Sequence, residues 1–77
     1  MDKKIVGKII KQFRINKKWS QDILCDFACV NRSHLSRVEL GKGSPTLTFL
    51  YKIADALEVN ASDILRAVEN EAKLNEK

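Results

Sequence analysis

A chain of 77 residues allows one domain, and at that length only roughly 60% of the unfolded surface is buried, so the core must be efficient or helped by a partner. The 44% apolar content suits a small globular domain. No apolar run approaches the ~18 residues a membrane span needs, and Lys8 and Lys11 interrupt the apolar residues near the N-terminus, which argues against a secretory signal. The net charge of +4 is unevenly spread: residues 1–19 hold seven basic side chains against Asp2 alone, residues 20–45 balance three against three, and residues 46–77 hold four basic against six acidic. A cationic front favours a polyanion, most often nucleic acid, but on charge alone a solvated lysine-rich helix is an equal alternative.

In chain order, the first predicted helix covers about residues 3–16. Ile5, Val6, Ile9, Ile10 and Phe13 fall on one face, with Lys4, Lys8 and Lys11 opposite. Arg14 lies at the margin of the apolar stripe, which suits a buried or half-buried ion pair. Gly7 costs roughly 1 kcal/mol relative to alanine inside a helix, unless it lets another backbone approach. Trp19 precedes the cap Ser20, and Leu24 stands at the fourth position after it, the arrangement of a hydrophobic staple.

The stretch 20–41 holds two short helical patterns. The first runs over about residues 21–28 with Ile23, Leu24 and Phe27 at helical spacing, and the second over about 32–40 with Leu35 and Val38 three apart. Ser20 and Asn31 are good N-caps, because their side-chain oxygens accept from first-turn amides. Helices this short, joined through Cys29, Val30 and Asn31, must cross steeply. That is a helix-turn-helix, whose usual work is to place its second helix in a DNA major groove.

Gly41 to Thr46 reads as a loop, with Gly41 ending the preceding helix in a left-handed conformation. Pro45 and Thr46 mark the start of a fourth helix. Leu47, Leu50, Ile53, Ala54 and Leu57 are expected on its buried face, with Phe49 and Tyr51 off the stripe centre. Asn60 to Asp63 resembles a capping box that opens a fifth helix, with Ile64, Leu65 and Val68 inward. Residues 69–77 either extend that helix or fray.

Two cysteines four apart make no disulfide framework, so the thiols are expected reduced in an intracellular, cytoplasmic chain. Cys25 should pack like alanine where two helices pass closely. Cys-x3-Cys-x4-His is not a usual zinc spacing, and the chain offers no fourth Cys or His ligand. With one histidine and no nucleophile–base constellation, neither an enzyme nor a cofactor or metal is expected.

The run VGKIIKQFRINKKWSQDILCDFACVNRSHLSRVELGKGSPTLTFLYKIADALEVNASDIL, residues 6–65, resembles the lambda-repressor-like, Xre-type DNA-binding domain. Its most specific pieces are Ser20-Gln21, Leu35-Ser36-Arg37-Val38-Glu39, Gly41-Lys42, Pro45 and the Ile53-Ala54…Ala56-Leu57 pattern. The resemblance implies an all-α, compact five-helix bundle. It implies that Gln21 holds a phosphate and braces the recognition helix, that Asn31, Arg32, Ser33 and Arg37 face base edges or nearby phosphates, and that Lys42 contacts the DNA backbone from the loop. It also implies that Arg14 and Glu39 tie the first helix to the third. Lys18 and Cys29 depart from the glycines common in relatives, and His34 replaces an aromatic or polar residue; the first two raise a question of local strain.

The residues themselves point the same way. If Leu35 and Val38 face the core, the opposite face presents Arg32, Ser33, Ser36 and Arg37. An arginine can donate two parallel hydrogen bonds to O6 and N7 of guanine, and serine can bond a base or a phosphate. Gln21, Lys42 and the starts of the second and third helices are candidates for phosphate contacts, which position without specifying sequence. His34 points sideways, towards either a phosphate or simple packing. Leu40 suits rim packing.

The expected activity is sequence-specific regulation of transcription by a homodimer on a palindromic operator in double-stranded DNA, as in phage repressors, restriction–modification controllers or antitoxins. Dimerisation is expected through the fifth helix, with Phe49, Tyr51 or the tail. No membrane or small-molecule partner is evident. No residues remain for a sensor domain, so regulation would act through concentration and dimerisation. The competing reading is a protein–protein adaptor on the same fold, which would need a neutral or acidic third-helix face.

Overall fold

The computed structural model describes residues 2–75, and among them there are five helices and no strand. α1 spans Lys3–Asn16, α2 Gln21–Ala28, α3 Arg32–Glu39, α4 Leu47–Ala56 and α5 Ala61–Asn75. Four helices start with a side-chain cap: Asp2 accepts from the Lys4 amide, Ser20 from Ile23, Asn31 from His34 and Thr46 from Phe49. Each cap satisfies a first-turn amide that has no partner within its helix. Before α5, the Asn60 amide donates to Asp63 Oδ2 at 3.0 Å, the backward arm of a capping box with aspartate in place of glutamate. α5 continues to Asn75, so the polar tail extends the helix; Glu76 and Lys77 lie outside the described residues. No helix among the described residues is long and apolar enough to cross a membrane.

The chain turns sharply after α1, α2 and α4 because one residue at each end adopts a left-handed conformation: Lys18 at φ 61°, Cys29 at φ 57° and Glu58 at φ 60°. A side chain in this conformation costs roughly 1–2 kcal/mol, because Cβ crowds the following carbonyl. The strain anticipated at Lys18 and Cys29 is therefore present, and Glu58 adds a third site that no sequence signal marked. After α3 the same turn is made by Gly41, at φ 76°.

The core draws on every helix. Ile5, Val6, Ile9 and Ile10 of α1 meet Leu35 and Val38 of α3, Phe49, Leu50, Ile53 and Ala54 of α4, and Ile64 and Val68 of α5 in one buried cluster. Leu57, just beyond α4, completes it. α1 and α3 come so close at Gly7 that a Cβ there would fall on the Val38 carbonyl oxygen, so the glycine serves backbone approach.

Two buried faces differ from the sequence reading. On α2 the buried residues are Leu24, Cys25 and Ala28, while Ile23 is largely exposed and Phe27 is 65% exposed. The arc is turned by one residue, because small Cys25 and Ala28 let α2 approach its neighbours closely. Phe27 instead stacks on Trp19, ring centroids 4.9 Å apart. The half-buried tryptophan thus packs on the last turn of α2 through Phe27, while Leu24 is fully buried in the core. On α4, Leu47 is 67% exposed, the reverse of expectation, while of the two off-centre aromatics Phe49 is buried and Tyr51 is exposed. Leu47 and Phe49 sit at opposite margins of one apolar arc, and only the Phe49 margin is covered, by His34 of α3.

Candidate nucleic-acid interface

α3 has two faces because Leu35 and Val38 are fully buried while Arg32, Ser33 and Arg37 are exposed and Ser36 is half-exposed. The first turn of α2 lies beside the polar face. Gln21, Arg32, Ser33, Ser36 and Arg37 line one open depression, so five of the eight expected contact residues share a surface.

Two more sit at its ends. Lys42 is exposed, and the loop that carries it folds back on α3 through the Lys42 and Gly43 amides, which donate to the Arg37 carbonyl at 2.9 and 3.1 Å. Arg37 Nη2 returns a bond to the Lys42 carbonyl at 3.4 Å. Asn31 is exposed at the start of α3, its Oδ1 engaged as the cap. His34 stands apart from the polar face. Its ring packs edge-on against Phe49 at 4.6 Å, so packing accounts for its position. It also borders a second, polar depression with Asn31, Thr46, Thr48 and Lys52.

A buried ion pair fixes the angle of this surface. Arg14 Nε and Nη2 donate to Glu39 Oε2 and Oε1 at 2.7 and 2.8 Å, and Nη1 donates to the Trp19 carbonyl at 2.8 Å. Gln21 Nε2 adds a bond to Glu39 Oε1 at 3.0 Å. The Arg14 and Glu39 side chains are 11% and 3% exposed. One carboxylate at the end of α3 thereby joins α1, α2 and α3. The hydrogen bond to Glu39 raises the Arg14 pKa against the lowering effect of burial, so the pair stays charged on its arginine side. The bracing role implied for Gln21 is present in this bond. Among the described residues no buried side-chain nitrogen or oxygen lacks a partner.

Burial pushes the Cys25 thiol up, with the Asp22 charge adding to it, so Cys25 is held as a neutral apolar group; Cys29 is exposed and free. The cationic front is partly neutralised by the acidic tail: Lys8 pairs with Glu71 at 2.6 Å, and Lys17 pairs with Glu58 at 3.4 Å while also lying 5.0 Å over the Trp19 ring.

One residue on this surface escaped the sequence reading. Asp22, in the first turn of α2, forms an ion pair with Arg32, Oδ1 to Nε at 3.1 Å. Its signal was an acid placed directly after Gln21. In a helix-turn-helix, that turn lies against the first residue of the recognition helix.

A family profile described as helix-turn-helix matches residues 10–64. The chain is 30% identical over 70 residues to the SPbeta prophage-derived uncharacterized HTH-type transcriptional regulator YonR of Bacillus subtilis, covering 91% of this chain and 65% of that protein. It is 33% identical over 64 residues to the HTH-type transcriptional regulator SlrR of the same organism, covering 82% of this chain and 42% of that protein. The chain thus spans less than two thirds of the length of both relatives. Among solved structures, it is similar to the restriction-modification controller protein C.AhdI from Aeromonas hydrophila, with a TM-score of 0.79 and 27% identity over 82% of this chain and 96% of that one. With the matched residues running from α1 into α5 and every part of the motif in place, the chain belongs to the helix-turn-helix family of the lambda-repressor-like, Xre type.

Proposed function

We propose that the protein is a sequence-specific DNA-binding transcriptional regulator that acts in the cytoplasm as a homodimer on a palindromic operator. The observation that carries this reading is the polar face of α3. Leu35 and Val38 anchor the helix in the core, and the Glu39 bonds to Arg14 and Gln21 lock it against α1 and α2. Arg32, Ser33, Ser36 and Arg37 are left facing outwards from a rigid support, the geometry that major-groove readout requires. In this reading Arg32 and Arg37 bond base edges, and Ser33 and Ser36 contact bases or phosphates. Gln21, Asn31 and Lys42 hold the backbone, while His34 packs on Phe49. The activity is binding rather than catalysis. The names of the relatives, transcriptional regulators and a restriction-modification controller, support it.

A homodimer is supported by the exposed apolar residues Leu47 and Tyr51 on α4 and Leu74 on α5. Phe49 drops out of the expected interface, since it is buried beneath His34. Repeated binding selection from a random DNA pool tests the reading. The expected outcome is enrichment of a two-fold symmetric sequence with half-sites about one turn, ~34 Å, apart. Failure to enrich any sequence would favour the adaptor.

A further inference from the structure

Arg32 has an ion-pair partner in the DNA-free protein. Its Nε lies 3.1 Å from Asp22 Oδ1, and both side chains are well exposed, 62% and 69%. Asp22 sits in the first turn of α2, beside Gln21, against the depression lined by Gln21, Arg32, Ser33, Ser36 and Arg37. A carboxylate is costly on a surface that must meet phosphates. The fold gains little in return, because an exposed ion pair adds little stability. Its consequence belongs to the complex with DNA.

A guanidinium offers five N–H donors in a rigid fork. Asp22 Oδ1 stands beside Nε as an ion-pair partner and leaves the two terminal nitrogens, whose parallel N–H groups match O6 and N7 of guanine. We propose that Asp22 is a positioning residue that sets specificity: it holds Arg32 in the orientation that reads guanine and withholds it from phosphates. The inference rests on the reading of α3 as the DNA-facing helix. Two effects act in the same direction. Without the carboxylate, the flexible arginine stem can swing to the nearest phosphate, a contact that carries no sequence information. With it, a duplex of the wrong sequence leaves the Asp22 charge facing phosphates without a fully engaged Arg32, and like-charge juxtaposition penalises that complex. Asp22 therefore lowers general affinity and raises discrimination.

The test uses the full chain and the site that wild type selects from a random pool. Fluorescence anisotropy gives Kd for that site, for single-base-pair replacements of it, and for a random duplex. The base pair read by Arg32 is the one at which Arg32→Ala loses preference. Asp22→Ala is expected to bind the random duplex several-fold more tightly, and its discrimination at that base pair falls about tenfold. Asp22→Glu, which keeps the carboxylate, retains most of the discrimination. In an Arg32→Ala background, Asp22→Ala changes nothing at that position. Thermal unfolding confirms that each variant is folded, and Asp22→Asn, which keeps the shape of the side chain, replaces the alanine variant if that one is not. Unchanged discrimination in the folded variant, or an equal change in the Arg32→Ala background, would overturn the role of Asp22. A wild type that selects no site at all contradicts the DNA-binding reading itself. A wild type that selects a site, with an Asp22→Ala variant that reads it equally well, removes this inference alone.

Discussion

Glu39 is the residue on which the geometry of the surface depends. Its side chain is 3% exposed and accepts from both Arg14 and Gln21, so removing either member of the ion pair strands a charge largely shielded from water. Arg14→Ala or Glu39→Ala should cost ~3–5 kcal/mol, with an apolar pair tolerated far better. A double-mutant cycle in urea should then show strong coupling, and a coupling near zero would mean the pair is not an energetic unit. This pair was legible because Arg14 stands at the edge of an otherwise apolar stripe and matches a family position. Asp22 was less legible, since its partner ten residues on is near only once the turn is folded. Cys29 makes a separate case. At φ 57° it pays for a conformation glycine adopts freely, so Cys29→Gly should stabilise the protein by about 1 kcal/mol, seen as a higher denaturation midpoint. A lower midpoint would show that the thiol side chain contributes more than the strain it causes.

Helix positions are legible in the sequence because the chain carries explicit start signals: Ser20 and Asn31 cap as expected, and Thr46, expected to mark the start of α4, caps it. The faces were read less well. On α2, periodicity chose the largest apolar residues, yet close approach selected the small ones, Cys25 and Ala28. On α4, Leu47 and Phe49 are equivalent by pattern, and only the tertiary contact with His34 separates them. Gly7 is the clearest case of one element shaping another. Because a Cβ there would strike the Val38 carbonyl, Gly7→Ala must push α3 away from α1. It should cost ~1–3 kcal/mol despite the better helix propensity of alanine. It should also weaken DNA binding by tilting α3. A variant as stable as wild type would show that the α1–α3 contact gives way without cost.

At the scale of the molecule, charge and size set what the surface can do. Lys8 pairs with Glu71 and Lys17 with Glu58, while Arg32, Arg37 and Lys42 lie on or beside the polar face of α3. Half-sites one DNA turn apart require a dimer that holds its two α3 helices ~34 Å apart. Tyr51→Asp and Leu74→Asp should weaken that dimer without unfolding the exposed sites they alter. Sedimentation equilibrium should show a shift towards monomer, and an unchanged association constant would place the interface elsewhere. Affinity measured on the selected site and on random DNA across a salt series separates base reading by α3 from backbone contact by the loop that follows it. Arg32→Ala and Arg37→Ala should each lose ~1–3 kcal/mol on the selected site and relax preference at one position per half-site. Lys42→Ala should instead weaken both DNAs alike and flatten the salt dependence. Folded Arg32→Ala and Arg37→Ala proteins that bind the selected site with wild-type affinity and preference would rule out base reading by α3.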